Sequence, residues 1–184
     1  MNTTVEPTLT PLLRPRSVAV VGVSKNPAGM GRRIFDCLLA AKYRGAIFPI
    51  NKDGMAIEGY PGFTSVAKVG APIDLAVIAV PRAAVAGVVD ECAAAGVKSL
   101  VVITAGYAEA GEEGRKLQAE LLAAVRKAGM RMVGPNCMGV LNAEADAPMN
   151  ASFSPIFPPP GGLALSSQSG ALGMVILSLA TRRH

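Results

Sequence analysis

Five short apolar runs, set apart by stretches with helical spacing, most limit the folds open to this chain. SVAVVGV (17–23), AIFPIN (46–51), DLAVIAV (74–80), KSLVVIT (98–104) and RMVGP (131–135) are strand-length, and the first four are rich in Val and Ile. After the first, Ile34, Cys37, Leu38 and Ala41 fall on one helical face. After the third, Val85, Val88, Val89 and Cys92 do the same. After the fourth, Leu117, Leu121 and Val125 repeat the pattern, and Gly129 ends it. Strands that are apolar on both faces need cover on both, which parallel sheets receive from their crossover helices. A hydrophobic share of 51% with only 4% aromatics suits such a sheet. The expectation is an α/β fold: a Rossmann-like parallel sheet with right-handed crossovers and strand order 3-2-1-4-5.

The pattern changes at both ends. Residues 1–13, rich in Pro and Thr, read as a flexible tail, and 14–145 as the folded domain. From 143 to 160 the periodicity fails, and ADAPMNASFSPIFPPPGG reads as a linker. GLALSS (162–167) then reads as a strand and SGALGMVILSLATRRH as a helix. Residues 146–184 are thus expected to be a linker and the start of a second, flavodoxin-like α/β domain, with the chain a piece of a longer protein.

The net charge of +5 favours anionic ligands. Nucleic acid is a poor candidate, because the basic residues form no long run and no aromatics alternate with them. Three dispersed cysteines make no disulfide framework, and no Cys/His cluster suggests a metal. The N-terminus lacks the apolar core of a signal peptide, and no run suits a membrane span. A cytoplasmic protein without membrane partners is expected.

The segment VAVVGVSKNPAGMGRRIF (18–35) has the form of strand, glycine loop and helix. Its glycines, Gly22, Gly29 and Gly31, do not have the G-x-G-x-x-G spacing of dinucleotide-binding loops. They still allow a sharp turn and close approach of the helix start, where free N–H groups and the helix dipole attract phosphate. Ser24 and Asn26 offer hydrogen bonds, and Lys25, Arg32 and Arg33 add charge. The alternative is a plain turn with solvated charges. The ligand crevice is expected at the carboxyl ends of strands one and four. The second strand ends PINKDG, placing Asn51 and Lys52 where an NAD-binding domain needs an acid; Asp53 comes one step later. Lysine there favours a phosphorylated ribose, which NADP and coenzyme A both carry.

Six segments in order carry a resemblance: VGVSKNPAGMGRRI, FPINKDGMAIEGYP, DLAVIAVPRAAV, LVVITAGYAE, RMVGPNCMGVLN and GGLALSSQSGALG. Over about residues 12–183 the chain resembles the CoA-binding domain of NDP-forming acyl-CoA synthetases. That superfamily includes the succinyl-CoA synthetase alpha subunit and the ADP-forming acetyl-CoA synthetases. The resemblance implies that the loop from Ser24 to Met30 wraps the nucleotide end of CoA and that Lys52 meets a CoA phosphate or the adenosine. It implies that Val80 and Pro81 line adenine and ribose, and that Ile103, Thr104 and Ala105 follow the pantetheine. Asn136 and Cys137 would lie near the thiol end. Ala105-Gly106 stands where the succinyl enzymes have a glutamate after the threonine. Ser167, Gln168, Ser169 and Gly170 would face the phosphate of a phosphohistidine, although serines at a helix start also serve as caps.

The family reaction joins a carboxylic acid, CoA and ATP to give acyl-CoA, ADP and phosphate, through a phosphohistidine. The single histidine, His184, does not occupy the family's catalytic position. The resemblance therefore implies a CoA-binding portion of a ligase. An ATP-grasp domain or subunit, ATP/ADP and Mg would belong to the rest of the enzyme. Homo-oligomerisation is left open. Two alternatives stand beside it: a non-catalytic CoA- or acyl-CoA-sensing module of a protein acetyltransferase, and an NADP-dependent oxidoreductase domain. Cys137 reads as a packed cysteine, since no histidine lies near it in sequence to activate it. Glu109, Glu112 and Glu113 read as a solvated first turn of a helix.

Overall fold

The computed structural model describes residues 8–182. The first part of the expected tail and His184 lie outside the described residues. The five apolar runs form β1 (Ser17–Val21), β2 (Ala46–Ile50), β3 (Leu75–Ile78), β4 (Ser99–Val102) and β5 (Arg131–Val133), all parallel. The helices between them are α2 (Met30–Ala40), α3 (Arg82–Ala94) and α4 (Glu112–Lys127), after a short α1 (Thr10–Leu13). The α/β, Rossmann-like architecture is as expected.

The strand order is not. The sheet runs β2-β1-β3-β4-β5, so β1 pairs with β2 on one side and β3 on the other. Pro49 explains why β2 lies at the edge. Its carbonyl faces outward and accepts the Phe63 N–H at 3.0 Å, so its nitrogen faces outward too and has no hydrogen to give a further strand. β3, whose four residues are all fully buried, is suited to the interior. The connections therefore reverse direction between β1 and β3, and the crevice opens there rather than between the first and fourth strands.

The period of two in each strand feeds two cores. Ala19, Val21, Ala76, Ile78, Leu100 and Val102 point to one face, where α3 supplies Val85, Val89 and Cys92 and α4 supplies Leu121 and Val125. Val18, Val20, Leu75, Val77 and Val101 point to the other. Ile34, Phe35 and Leu38 of α2 cover that face together with Leu12, Met149 and Ala151.

Those last three residues correct the expected domain boundaries. Leu12 of α1 is 6% exposed, so the end of the expected tail is folded into the core. Asn142 Nδ2 donates to the Leu13 carbonyl at 3.1 Å, and Arg14 pairs with Asp146 at 3.0 Å and with Glu144. Within the expected linker, β7 (Met149–Ser152) pairs antiparallel with β6 (Gly139–Asn142), which lies before it, so a boundary at 145 would cut this hairpin. β7 packs on α2 and does for this face what a second crossover helix would do.

After the hairpin, residues 161–169 contain no strand, and Leu163 is fully exposed; GLALSS has no neighbouring strand to pair with among the described residues. The expected helix is present as α5 (Gly170–Arg182), and its buried Gly173 lies close to Met138: a Cβ there would be in ordinary contact, 3.5 Å from the Met138 methyl. Leu172, Val175 and Leu179 of α5 stay exposed. No helix among the described residues is long and apolar enough to cross a membrane.

Candidate functional site

The crevice is built by two glycines. Gly22 ends β1 with φ +98°, and a Cβ there would sit 2.3 Å from the Ala79 carbonyl oxygen after β3. A Cβ at Gly31 would sit 2.3 Å from the Gly22 carbonyl. The start of α2 therefore rests directly on the strand end, as a helix must if its first N–H groups are to reach a ligand at the switch point. Gly29 is the N-cap, extended at φ −65° and ψ 138°, and no side chain caps the helix.

Within the first loop the Asn26 side chain is used locally. Its Oδ1 accepts the Ala28 N–H at 3.0 Å and its carbonyl accepts the Gly29 N–H at 3.0 Å. Ser24 and Gly29 are in tight contact across the loop: a Cβ on Gly29 would lie 3.0 Å from Ser24 Oγ. The three cations near this loop are not equivalent. Arg32 is bound to Asp36 at 2.8 Å and to Glu58, and its side chain is only 15% exposed. Lys25 and Arg33 have no carboxylate within ion-pair distance among the described residues, and neither has Lys52.

Lys52 is exposed, on a turn that Asn51 closes from both sides. Asn51 Nδ2 donates to the Met55 carbonyl and Asn51 Oδ1 accepts the Met55 N–H, each at 2.8 Å. An Asn followed by K-D-G is a turn signal in its own right.

The loops after β3, β4 and β5 are joined to one another. Thr104 Oγ1 donates to the Val80 carbonyl at 2.7 Å, and the Asn136 N–H donates to the Thr104 carbonyl at 3.0 Å. Pro81 is the exposed N-cap of α3, Ile103 is buried and Ala105 is exposed. Thr104 thus braces the neighbouring loop instead of standing at the switch point. Arg82 Nη1 donates to the Gly106 carbonyl at 2.8 Å, while the Glu109 carboxylate accepts the N–H groups of Gly106 and Tyr107, the latter at 3.1 Å. These bonds, the Gly106 N–H foremost, hold the Glu109 carboxyl below the usual carboxylate range. Glu109 stands in a short turn ahead of α4 and grips this backbone; Glu112 and Glu113 open the helix as expected. The roles of Arg82 and Glu109 were invisible in the sequence, which carries no sign of a bond across 24 residues or of which backbone a glutamate will meet.

Cys137 Sγ donates to the Val102 carbonyl at 3.3 Å, and burial pushes its thiol up to about 11. That is a packed thiol and not an activated nucleophile. Cys92 is buried in the core under α3 and α4, and Cys37, also buried, donates from Sγ to the Ser154 carbonyl at 3.3 Å. The segment with Ser167, Gln168, Ser169 and Gly170 is exposed throughout. Ser167 Oγ accepts the Ser169 N–H at 3.1 Å, and Ser169 Oγ accepts the Leu172 N–H at 3.2 Å, a cap on α5. No hydrogen bond joins these serines to the other predicted residues among the described ones.

A cavity of about 290 Å³ lies at the other end of the sheet, lined by Arg14, Arg16, Tyr43, Arg44 and Asp146. It does not compete as the site: Arg14 is paired with Glu144 and Asp146, and Arg16 with Asp74.

Fold and crevice together define a parallel α/β domain whose helix α2 starts without a side-chain cap at the end of β1, with Lys25, Arg33 and Lys52 outside ion-pair distance of any carboxylate among the described residues. Residues 16–143 match the family of CoA-binding domains, and the chain belongs to that family. It is 42% identical over 170 residues to the alpha subunit of ADP-forming acetate–CoA ligase I of Pyrococcus furiosus, covering 90% of this chain and 36% of that subunit. It is 38% identical over 176 residues to a trans-feruloyl-CoA synthase from an unidentified prokaryote, covering 94% of this chain and 24% of that protein. The acetyl-coenzyme A synthetase 1 of Ca. Korarchaeum cryptofilum, solved with phosphate and ADP, superimposes with a TM-score of 0.89 at 38% identity, over 96% of this chain and 37% of that one. The chain thus spans about a third of the length of the first of these relatives, and a quarter of the second.

Proposed function

We propose that this chain is the CoA-binding portion of an ADP-forming acyl-CoA synthetase, which makes acyl-CoA from a carboxylic acid, CoA and ATP. The observation that carries the reading is Lys52: an unpaired lysine on a braced turn at the end of β2, in a domain of the CoA-binding family. The residues fit the coenzyme. Gly22 and Gly31 leave no Cβ between the strand ends and α2, where the diphosphate would lie against the loop of Ser24, Lys25, Asn26 and Gly29. Lys52 would take the 3′-phosphate. Val80 and Pro81 would line adenine and ribose, Ile103, Thr104 and Ala105 the pantetheine arm, and Asn136 and Cys137 its thiol end.

In this reading the first unit runs through Ser154, and α5 begins the next α/β unit of the parent protein, with Ser167, Gln168, Ser169 and Gly170 facing a phosphate. The exposed Leu172, Val175 and Leu179 support a further covering unit. ATP with Mg, the ATP-grasp part and the phosphohistidine would be supplied by parts of the enzyme that the matched third does not include. Acetate and trans-ferulate are very different acids, yet relatives named for each match this chain at 42% and 38% identity. This supports acyl choice being made outside these residues.

Calorimetric titration of the chain with CoA, NADP and NAD tests the reading. CoA should bind and the other two should not; binding of NADP alone would overturn it. Lys52→Ala should weaken CoA far more than dephospho-CoA, since a charge-assisted contact contributes roughly 1.5–3 kcal/mol. Equal losses would move Lys52 away from the 3′-phosphate.

A further inference from the structure

Arg32 stands at the start of α2, where a cation is well placed for a phosphate, but the structure has committed it elsewhere. Its Nε donates to Asp36 Oδ1 at 2.8 Å, one helical turn on, and its Nη2 donates to Glu58 Oε1. Asp36 and Glu58 are 43% and 53% exposed, whereas the Arg32 side chain is 15% exposed. With two carboxylates on it, the guanidinium has no net charge to offer an anion.

Glu58 belongs to the loop that carries Lys52. That loop is fixed to α2 by three side chains in a row of four residues. Ile57 is 2% exposed and packs in the core under α2; Tyr60 meets Phe35 of α2 edge-on, with ring centroids 5.4 Å apart; Glu58 takes the Arg32 bond. Glu58 does so at φ +48°, a conformation that a non-glycine residue holds only when its surroundings require it. Three residues back, Met55 is clasped by Asn51, which adjoins Lys52. A succession of bonds along the loop therefore leads from α2 through Glu58 and Met55 to Asn51, the neighbour of Lys52.

We propose that Arg32 is a positioning residue: it does not bind phosphate but ties the 51–60 loop to α2 and so sets where the Lys52 ammonium stands for the 3′-phosphate. The proposal rests on the Lys52 reading above. It makes α2 the common reference for both phosphate contacts, since the same helix presents its N-terminus to the diphosphate.

The deciding variant is Glu58→Ala, because the competing accounts predict opposite signs. Removing a carboxylate near an anion site strengthens phosphate binding if only charge matters, and freeing Arg32 strengthens it further if Arg32 is itself a ligand. If the bond positions Lys52, the preference for CoA over dephospho-CoA falls instead, by roughly two- to fivefold for a partly exposed ion pair. Arg32→Gln should lower the preference equally, and the double variant no further. An unchanged or increased preference in Glu58→Ala would overturn the proposal.

Lys52→Ala separates this from failure of the underlying reading. If it abolishes the preference and Glu58→Ala does not touch it, the positioning role alone is wrong; if it leaves the preference intact, both are wrong. Hydrogen exchange on the ligand-free chain gives a second readout. The Met55 amide, held by Asn51, should exchange several-fold faster in Glu58→Ala, and unaltered protection would likewise sink the idea.

Discussion

Thr104 Oγ1 donates to the Val80 carbonyl at 2.7 Å and, with the Arg82 bond to the Gly106 carbonyl, ties the loop after β4 to the segment after β3. Both loops border the crevice, and both carry residues proposed to touch CoA. Thr104→Val keeps the shape and removes the donor. It should cost about 0.5–1.5 kcal/mol in a urea titration and weaken CoA several-fold by calorimetry. Loss of stability without loss of affinity would confine Thr104 to the fold.

Gly22→Ala should be severe. The new methyl would meet the Ala79 carbonyl at 2.3 Å, and the residue would have to hold φ +98°. A loss above about 2 kcal/mol is expected, together with loss of CoA binding. Gly59→Ala is the matched control: φ is +81°, but nothing lies within 4 Å of the added methyl. That change should cost only about 1–2 kcal/mol of backbone strain. Thermal unfolding of the two variants would measure the clash separately from the conformation.

Asp74 predicts an acid limb. Burial alone would raise its pKa, but bonds from the Arg16 side chain and from the Arg16 N–H at 2.9 Å prevail and hold it below the usual carboxylate range. A depressed folded pKa means stability that is present above the unfolded value of 3.8 and lost as pH falls through the folded one. Asp74→Asn should therefore be less stable at neutral pH, with a smaller further loss between about pH 4 and pH 2. An unchanged slope in that window would show that Asp74 is not the titrating group.

Glu109→Ala frees the N–H groups of Gly106 and Tyr107, with Arg82 still on the Gly106 carbonyl. If the neighbouring backbone follows the pantetheine arm, CoA should weaken by roughly two- to tenfold and 3′,5′-ADP, which lacks the arm, should not. Equal effects on both would place the arm on another path.

Cys137 should alkylate slowly at pH 7 to 8, and the rate should climb only as pH nears its raised pKa of about 11. Cys137→Ala should keep CoA binding. Fast labelling at neutral pH would contradict the packed state of the thiol.

Much of this architecture was legible because each strand and helix announces itself locally. β3 is apolar throughout, β1 and β4 are apolar after an opening serine, and the inward faces of α2, α3 and α4 follow the helical period. Neighbour relations are not local, so the apolar runs do not show that β1 lies between β2 and β3, although Pro49 in the second run is a sign that β2 lies at an edge. The β6–β7 hairpin escaped because its buried residues look like a loop. Asn150 Nδ2 donates to the Ser154 carbonyl at 2.9 Å and Ser152 Oγ to Asn150 Oδ1 at 2.6 Å, so these polar groups are satisfied among themselves. At the site, Lys52 and the glycines were readable as departures from the NAD pattern. In the sequence Arg32 is one of three cations that add charge to the loop; its pairing is not legible there because its partner Glu58 is 26 residues away and comes to it only through the loop's anchoring on Ile57 and Tyr60.

Pro49 has a consequence for crowding. A parallel sheet that ends on an open strand offers a template on which unfolded or partly folded chains can stack. Here the outward carbonyl of Pro49 is taken by Phe63, its nitrogen carries no hydrogen, and the Asn51 N–H is spent on the Phe63 carbonyl at 2.9 Å. The margin beside the Lys52 turn thus has no free pair of backbone groups with which to recruit another strand, and the chain can keep this turn open to solvent without exposing an aggregation seam next to it.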